Sequence, residues 1–227
     1  MSFYERYPMM RPYVGKSFHR DGTPSILLVG ESHYFDDELP QRATSEAWYS
    51  GSSATLSEYD ISFIHTAKLL EDATANSFPS KTHSIYSNPF WEINECGPGY
   101  PDYRLVAGHM AFYNFFLRPA IDGGSIKDDI TDMDVAMANE VFLAHYEDLK
   151  PTAVVFLSML AHEYCTASLP IIARHLLFRP GHGKRLESGL GPEERGGLFP
   201  RATSPCPKPT RSFGWQKLVK IRKGTLW

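Results

Sequence analysis

The chain has 227 residues, of which 42% are hydrophobic and 22% are charged, and its formal net charge is −3 at pH 7. This length allows one substantial core and is short for two, so we expect a single domain over 1–227 that acts as a monomer. No apolar run approaches the ~18–20 residues that cross a membrane, which excludes a membrane partner. The N-terminal stretch MSFYERYPMMRPYVGK lacks the apolar centre of a signal peptide, so the sequence predicts a cytoplasmic protein.

The charge is unevenly distributed. Seven of the 23 basic residues and none of the 26 acidic ones fall in the C-terminal segment 201–227. Such a basic segment is typical of an arm that contacts the phosphates of a nucleic acid. A solvent-exposed helix face, whose positive charge offsets the negative charge of residues 1–200, would have the same composition. Both interpretations stay open at this point.

Cysteine usage argues against a disulfide framework and against a metal site. The three cysteines, Cys96, Cys165 and Cys206, are far apart and form no paired motif. We therefore expect no metal and no cofactor.

Four segments are predicted to be strands, because they are short apolar runs bounded by polar residues, glycine or proline. In chain order they are Ser25–Val29, His109–Leu117, Ala153–Leu157 and His175–Phe178. The residues between them show helical spacing, with apolar positions three and four apart in Ile61–Asp72 and in Asp134–Leu149, and a short helix is expected over Ser158–Thr166. Asp132 or Asp134 is the expected cap of the longest helix.

Buried strands that alternate with helices predict an α/β fold. The specific expectation is a three-layer α/β/α sandwich with a central, mainly parallel sheet of about four strands. The ends of its strands carry polar residues, at Glu31–His33, Asn114–Arg118, Ser158 and Arg179–His182. Ligands of open parallel sheets bind beyond the carboxyl ends of the strands, so these groups are expected to converge on one rim.

Four stretches in this order resemble motifs of the uracil-DNA glycosylase superfamily, especially its bacterial and archaeal branches. They are LLVGESHYFD, FYNFFLRPA, HYEDLKPTAVVFLSMLA and LLFRPGHGK. The similarity covers about Pro24 to Lys184. It implies the same fold and an enzyme that hydrolyses the N-glycosidic bond of DNA to release uracil or a damaged base. The implied partner is DNA, either single-stranded or with the base flipped out of the duplex.

The resemblance also implies site residues. Glu31 and His182 would be catalytic, with Glu31 positioning the attacking water and His182 donating to the departing base. His33, which follows Glu31 at the same strand end, is also expected to be catalytic. Gly30, Ser32, Tyr34, Phe35, Asn114 and Arg179 would bind the substrate, with Tyr34 or Phe35 stacking on the base and Asn114 reading its edge. A carboxylate near the sugar and a donor near the base would together stabilise the charges that develop as this bond breaks.

Two other functions fit parts of the sequence. One is a non-catalytic protein that binds nucleic acid or a nucleotide on the same fold. The other is a GDSL-type serine hydrolase with Ser32 as nucleophile, since that class also begins with a strand ending in Gly-acid-Ser. That class takes its general base from an Asp-x-x-His motif near the C-terminus, and no Asp follows Asp148 in this sequence.

Overall fold

A computed structural model describes residues 3–20, 24–34, 44–51, 56–78, 83–120, 126–169 and 176–178. Its strands are β1 Tyr13–Val14, β2 Ile26–Gly30, β3 Met110–Asn114, β4 Ala153–Phe156 and β5 Leu176–Phe178. Its helices are α1 Phe3–Arg6, α2 Ser45–Ser50, α3 Glu58–Ile64, α4 Thr66–Ala75, α5 Ser84–Cys96, α6 Asp132–Leu149 and α7 Met159–Ser168. Short 3₁₀ segments cover Pro8–Met10, Tyr103–His109 and Ile126–Asp129.

The five strands form one mixed sheet in the order β1-β3-β2-β4-β5. Strand β2 lies between β3 and β4 and is parallel to both, β5 is parallel to β4, and β1 runs antiparallel to β3. The α/β class predicted from the sequence is confirmed, and the first and third predicted strands are neighbours in the sheet. The two-residue β1 was missed because so short a segment leaves no alternation to detect.

Alternate residues of the central strands belong to two separate core clusters. Leu27, Val29 and Tyr113 belong to the first cluster, which also contains residues of α1, α2, α6 and α7. Ile26, Leu28 and Phe112 belong to the second, which also contains residues of α4 and α5. The continuous apolar runs of β2 and β3 follow from this arrangement, because side chains on both faces of the strands are buried.

Two helix predictions need correction. The helix expected over Ile61–Asp72 is interrupted at His65, whose backbone leaves the helical region and whose Nδ1 accepts a hydrogen bond from the Lys68 N–H at 3.3 Å. Histidine is not among the preferred caps, so this break carries no strong sequence signal. The cap of α6 is Thr131; Asp134 is the third helical residue and completes a capping box with it.

Helix α5 has no counterpart among the helices predicted from the sequence, and the stretch around it is rich in Pro, Gly and Ser. It contains Pro89, and its buried residues Phe90 and Ile93 join the second core cluster. Tertiary packing here outweighs local propensity. No helix in the described part of the chain combines the length and apolar character needed to span a membrane.

Candidate active site

The candidate site lies at the carboxyl ends of β2, β3 and β4. Gly30 at the end of β2 pairs with Asn114 at the end of β3. Beyond this pair the two chains stay side by side, because the Phe116 N–H donates to the Glu31 carbonyl at 2.9 Å. On the other flank the Leu157 N–H donates to the Val29 carbonyl at 2.8 Å. Glu31 is therefore held between the strand-end segments of β3 and β4.

The Glu31 carboxylate contacts the start of α7. Ser158 Oγ donates a hydrogen bond to Glu31 Oε2 at 2.7 Å, and the same Oγ accepts one from the Ala161 N–H at 3.3 Å. Ser158 is the N-cap of α7, and both Glu31 and Ser158 are half-buried. The partly positive end of the helix favours a negative charge at this place.

Asn114 presents an amide that is almost entirely buried. The residue is only 7% exposed. The amide lies over Gly30, where a Cβ atom would stand 2.1 Å from Asn114 Oδ1. The amide therefore lies at the end of β3, beside the residue that precedes Glu31.

Tyr34 borders the same carboxylate. The residue is 44% exposed, and its backbone forms an isolated parallel bridge with Ala120. Burial of the phenol raises the pKa of Tyr34, the negative charge of Glu31 raises it further, and the Ser32 hydroxyl opposes the rise. The phenol therefore lies near Glu31 and Ser32, while part of the ring remains open to solvent. We call Gly30, Glu31, Ser32, Tyr34, Asn114 and Ser158 the strand-end site.

His33 points into the protein. Its ring is 5% exposed, and Nε2 is 3.1 Å from the Thr66 hydroxyl at the start of α4. Burial lowers the pKa of His33 to about 4, against the opposing effect of a hydrogen bond with the Phe63 backbone. The imidazole is therefore neutral at neutral pH and ties the loop after β2 to the α3–α4 junction. Its catalytic role stays a prediction.

Arg118, at the end of the same polar stretch as Asn114, is not part of the site. Its guanidinium is 1% exposed and makes a bidentate contact with Asp134, at 2.9 Å for both Nε and Nη2. Nη1 donates to Asp129 Oδ2 at 2.6 Å. These bonds fix the start of α6 against the segment that follows β3.

Several predicted residues lie outside the described part of the chain. They are Phe35, Arg179, His182 and the basic segment 201–227. Their proposed roles therefore stay predictions.

Two residues at the rim received no role from the sequence. Ser158 was identified only as a polar residue after a strand, and its bond to Glu31 joins positions 127 residues apart. Met159 follows it as the first residue of α7, with 41% of its surface exposed. A serine directly before a helix is the signal of an N-cap, and that signal alone does not reveal the second bond.

Comparisons with protein-family models, with curated proteins and with solved structures find no match to this chain. In the described ranges no three His, Cys, Asp or Glu residues are grouped so that they could hold a metal ion. The strand-end site offers a hydrogen-bonded carboxylate, a neighbouring amide and a partly exposed tyrosine.

Proposed function

We propose that this protein hydrolyses an N-glycosidic bond and releases a base, uracil or a damaged base, from DNA. The observation that carries the proposal is the placement of Glu31. Its carboxylate is hydrogen-bonded to Ser158, and the preceding residue, Gly30, pairs with Asn114, whose amide oxygen lies against Gly30. One strand end thus offers a negative charge for the sugar and an amide for the base.

The carboxylate suits the charge that this reaction develops. As the bond breaks, the sugar gains positive character and the base gains negative character. Glu31 opposes the first charge and orients the water that attacks the anomeric carbon. A carboxylate already held by hydrogen bonds needs little reorganisation as the charge appears, which is why it lowers the barrier.

Asn114 and Tyr34 are the proposed contacts of the base. The Asn114 amide has one acceptor and two donor positions, which match the alternating donors and acceptors along a base edge. Tyr34 presents part of its ring to solvent, and stacking on an aromatic ring contributes about 1–3 kcal/mol per base. That contribution offsets part of the cost of extruding a base from the duplex.

The proposal includes the finer features expected from the sequence. They are a three-layer α/β/α arrangement around a mainly parallel sheet, a monomeric cytoplasmic protein, and DNA as the partner. The two core clusters, each with helix residues against alternate residues of β2 and β3, support the layered arrangement. His182 as donor to the departing base, and Arg179 and Phe35 as substrate contacts, belong to the same proposal.

The serine hydrolase is less well supported. Ser32 is 4% exposed, and in the described part of the chain no imidazole or carboxylate is hydrogen-bonded to its Oγ. A serine nucleophile needs an adjacent base to accept its proton. His33, the adjacent histidine in sequence, is directed to Thr66 instead.

The experiment is base release from labelled oligonucleotides that carry uracil or a damaged base, in single-stranded and duplex form, read as cleavage of the abasic product by alkali. Glu31→Gln should reduce release about 100- to 1,000-fold and leave DNA binding nearly unchanged, because only the transition state needs the charge. Glu140→Gln is the matched control, since Glu140 is an exposed glutamate of α6.

The outcomes separate the candidate functions. Wild-type protein that binds DNA and releases no base would favour the non-catalytic alternative. If the wild-type protein binds DNA no better than an acidic control protein, both base release from DNA and non-catalytic DNA binding are contradicted. Ester hydrolysis that is lost in Ser32→Ala would favour the serine hydrolase.

A further inference from the structure

The Ser158 hydroxyl accepts one hydrogen bond and donates another. Its Oγ accepts from the Ala161 N–H at 3.3 Å, as an N-cap does, and it donates to Glu31 Oε2 at 2.7 Å. Capping alone accounts for the first bond. The second bond joins the start of α7 to the carboxylate at the end of β2.

The two bonds fix each other's direction. A serine hydroxyl has one proton and two lone pairs, and an N–H group can only donate. Because Ala161 uses a lone pair of the oxygen, the proton is free for the carboxylate. The cap therefore orients the hydroxyl towards Glu31.

We propose that Ser158 is a positioning residue for Glu31, acting on the reaction through the carboxylate and without touching the substrate. The inference rests on the proposed function, in which Glu31 acts on the sugar and the attacking water. The Glu31 carbonyl is bonded to the Phe116 N–H, so backbone and side chain are restrained from opposite sides. Such restraint matters because a displacement of about 1 Å can lower a rate about 100-fold.

The informative change is Ser158→Gly. Glycine is accepted at the N-cap nearly as well as serine, so α7 should still begin at Met159 while the donor to Glu31 is lost. Ser158→Thr keeps a hydroxyl that can serve both bonds. Thr44→Gly is the matched control, because Thr44 caps α2 through an equivalent bond to the Ala47 N–H at 3.3 Å.

In the base-release assay Ser158→Gly should lower kcat about 10- to 100-fold and leave KM within about twofold, because substrate binding does not need the carboxylate fixed. Ser158→Thr should restore most of the rate, and Thr44→Gly should keep it. Full activity in Ser158→Gly, or an equal loss in Ser158→Thr, would overturn the inference while leaving the proposed function in place.

A second measurement does not depend on activity. The urea midpoints of wild type, Ser158→Gly, Glu31→Ala and the double variant form a cycle, in which each single variant removes the bond between the two side chains. The double variant should lose less than the sum of the single losses, since the two residues share one bond. If wild type releases no base, the proposed function fails, and this cycle still decides the contact: coupled losses support positioning of Glu31, and additive losses overturn it.

Discussion

The Asn114 side chain occupies the space that a side chain on Gly30 would need. The two residues are register partners at the ends of β3 and β2, and a Cβ on Gly30 would lie 2.1 Å from Asn114 Oδ1 and 3.1 Å from Phe112 Cζ. Any residue other than glycine at position 30 must therefore move the amide. The glycine is required here by a close approach between neighbouring strand ends.

We expect Gly30→Ala to damage the site more than the fold. The amide is the flexible end of a side chain and can rotate away, so the free energy of unfolding should fall by only about 1–3 kcal/mol. Base release should fall more steeply, because the rotated amide no longer faces the base. Gly108→Ala is the control, since a Cβ at Gly108 meets nothing within 4 Å. Unchanged base release in well-folded Gly30→Ala would contradict the role given to Asn114.

Arg118→Met should lower the free energy of unfolding by about 3–5 kcal/mol, because it leaves the carboxylate of Asp134, which is 0% exposed, without its cationic partner. Burial tends to raise the pKa of Asp134, but hydrogen bonds from Arg118 and Thr131 outweigh it and hold the pKa below its usual value. This stabilisation is therefore complete at neutral pH and is lost as the pH falls through the folded-state pKa.

Lys68→Met removes one partner of an exposed ion pair and is the comparison for the buried pair of Arg118 and Asp134. Lys68 and Asp72 form an ion pair of 2.6 Å whose side chains are 62% and 59% exposed. Solvent screens such a pair, so its loss should cost less than about 1 kcal/mol in urea denaturation. Equal losses in the two variants would show that burial does not set the strength of the Arg118 contact.

The protein should lose stability as the pH falls from 7 to 5. Burial lowers the pKa of His33 to about 4 and also lowers that of His145 to about 4, where the charge of Asp148 opposes the effect. Between pH 6.5 and 4 the unfolded chain binds a proton at each position that the folded chain does not. Each histidine should therefore contribute about 2 kcal/mol of the loss between pH 7 and pH 5.

Urea denaturation at both pH values tests this directly. His33→Gln and His145→Gln should each show a smaller loss than wild type, by about 2 kcal/mol. Between pH 7 and 9, where neither imidazole titrates, the difference between each variant and wild type should stay constant. If the free energy of unfolding falls equally in wild type and in both variants between pH 7 and pH 5, neither histidine is the cause.

Cys165 should be unreactive in the native protein. Its side chain is 0% exposed, and burial raises the pKa of its thiol to about 12. At pH 8 the thiolate fraction is then roughly a thousandfold below that of an ordinary cysteine. Alkylation with iodoacetamide followed by peptide mapping should modify Cys165 only in urea, and rapid labelling without denaturant would contradict its burial.

Much of the sheet could be predicted from the sequence, since the runs ILLV, MAFY and AVVF within β2, β3 and β4 are hydrophobic at every position. Such runs are expected only where both faces of a strand are covered. The helix α5 and the break at His65 could not be predicted, because a proline inside a helix and a histidine cap run against local preference. Packing of Phe90 and Ile93 decided the first of these.

For the strand-end site, the sequence alone determined that Glu31, Asn114 and Ser158 lie at or near strand ends, and parallel pairing makes such residues neighbours. Only the tertiary structure decided which way their side chains point. Glu31 is directed to Ser158 and Asn114 lies over Gly30, whereas His33 is directed to Thr66 and Arg118 to Asp134. The reason is physical: apolar periodicity reports which face of an element is buried, while the direction of a polar side chain depends on partners up to 127 residues away.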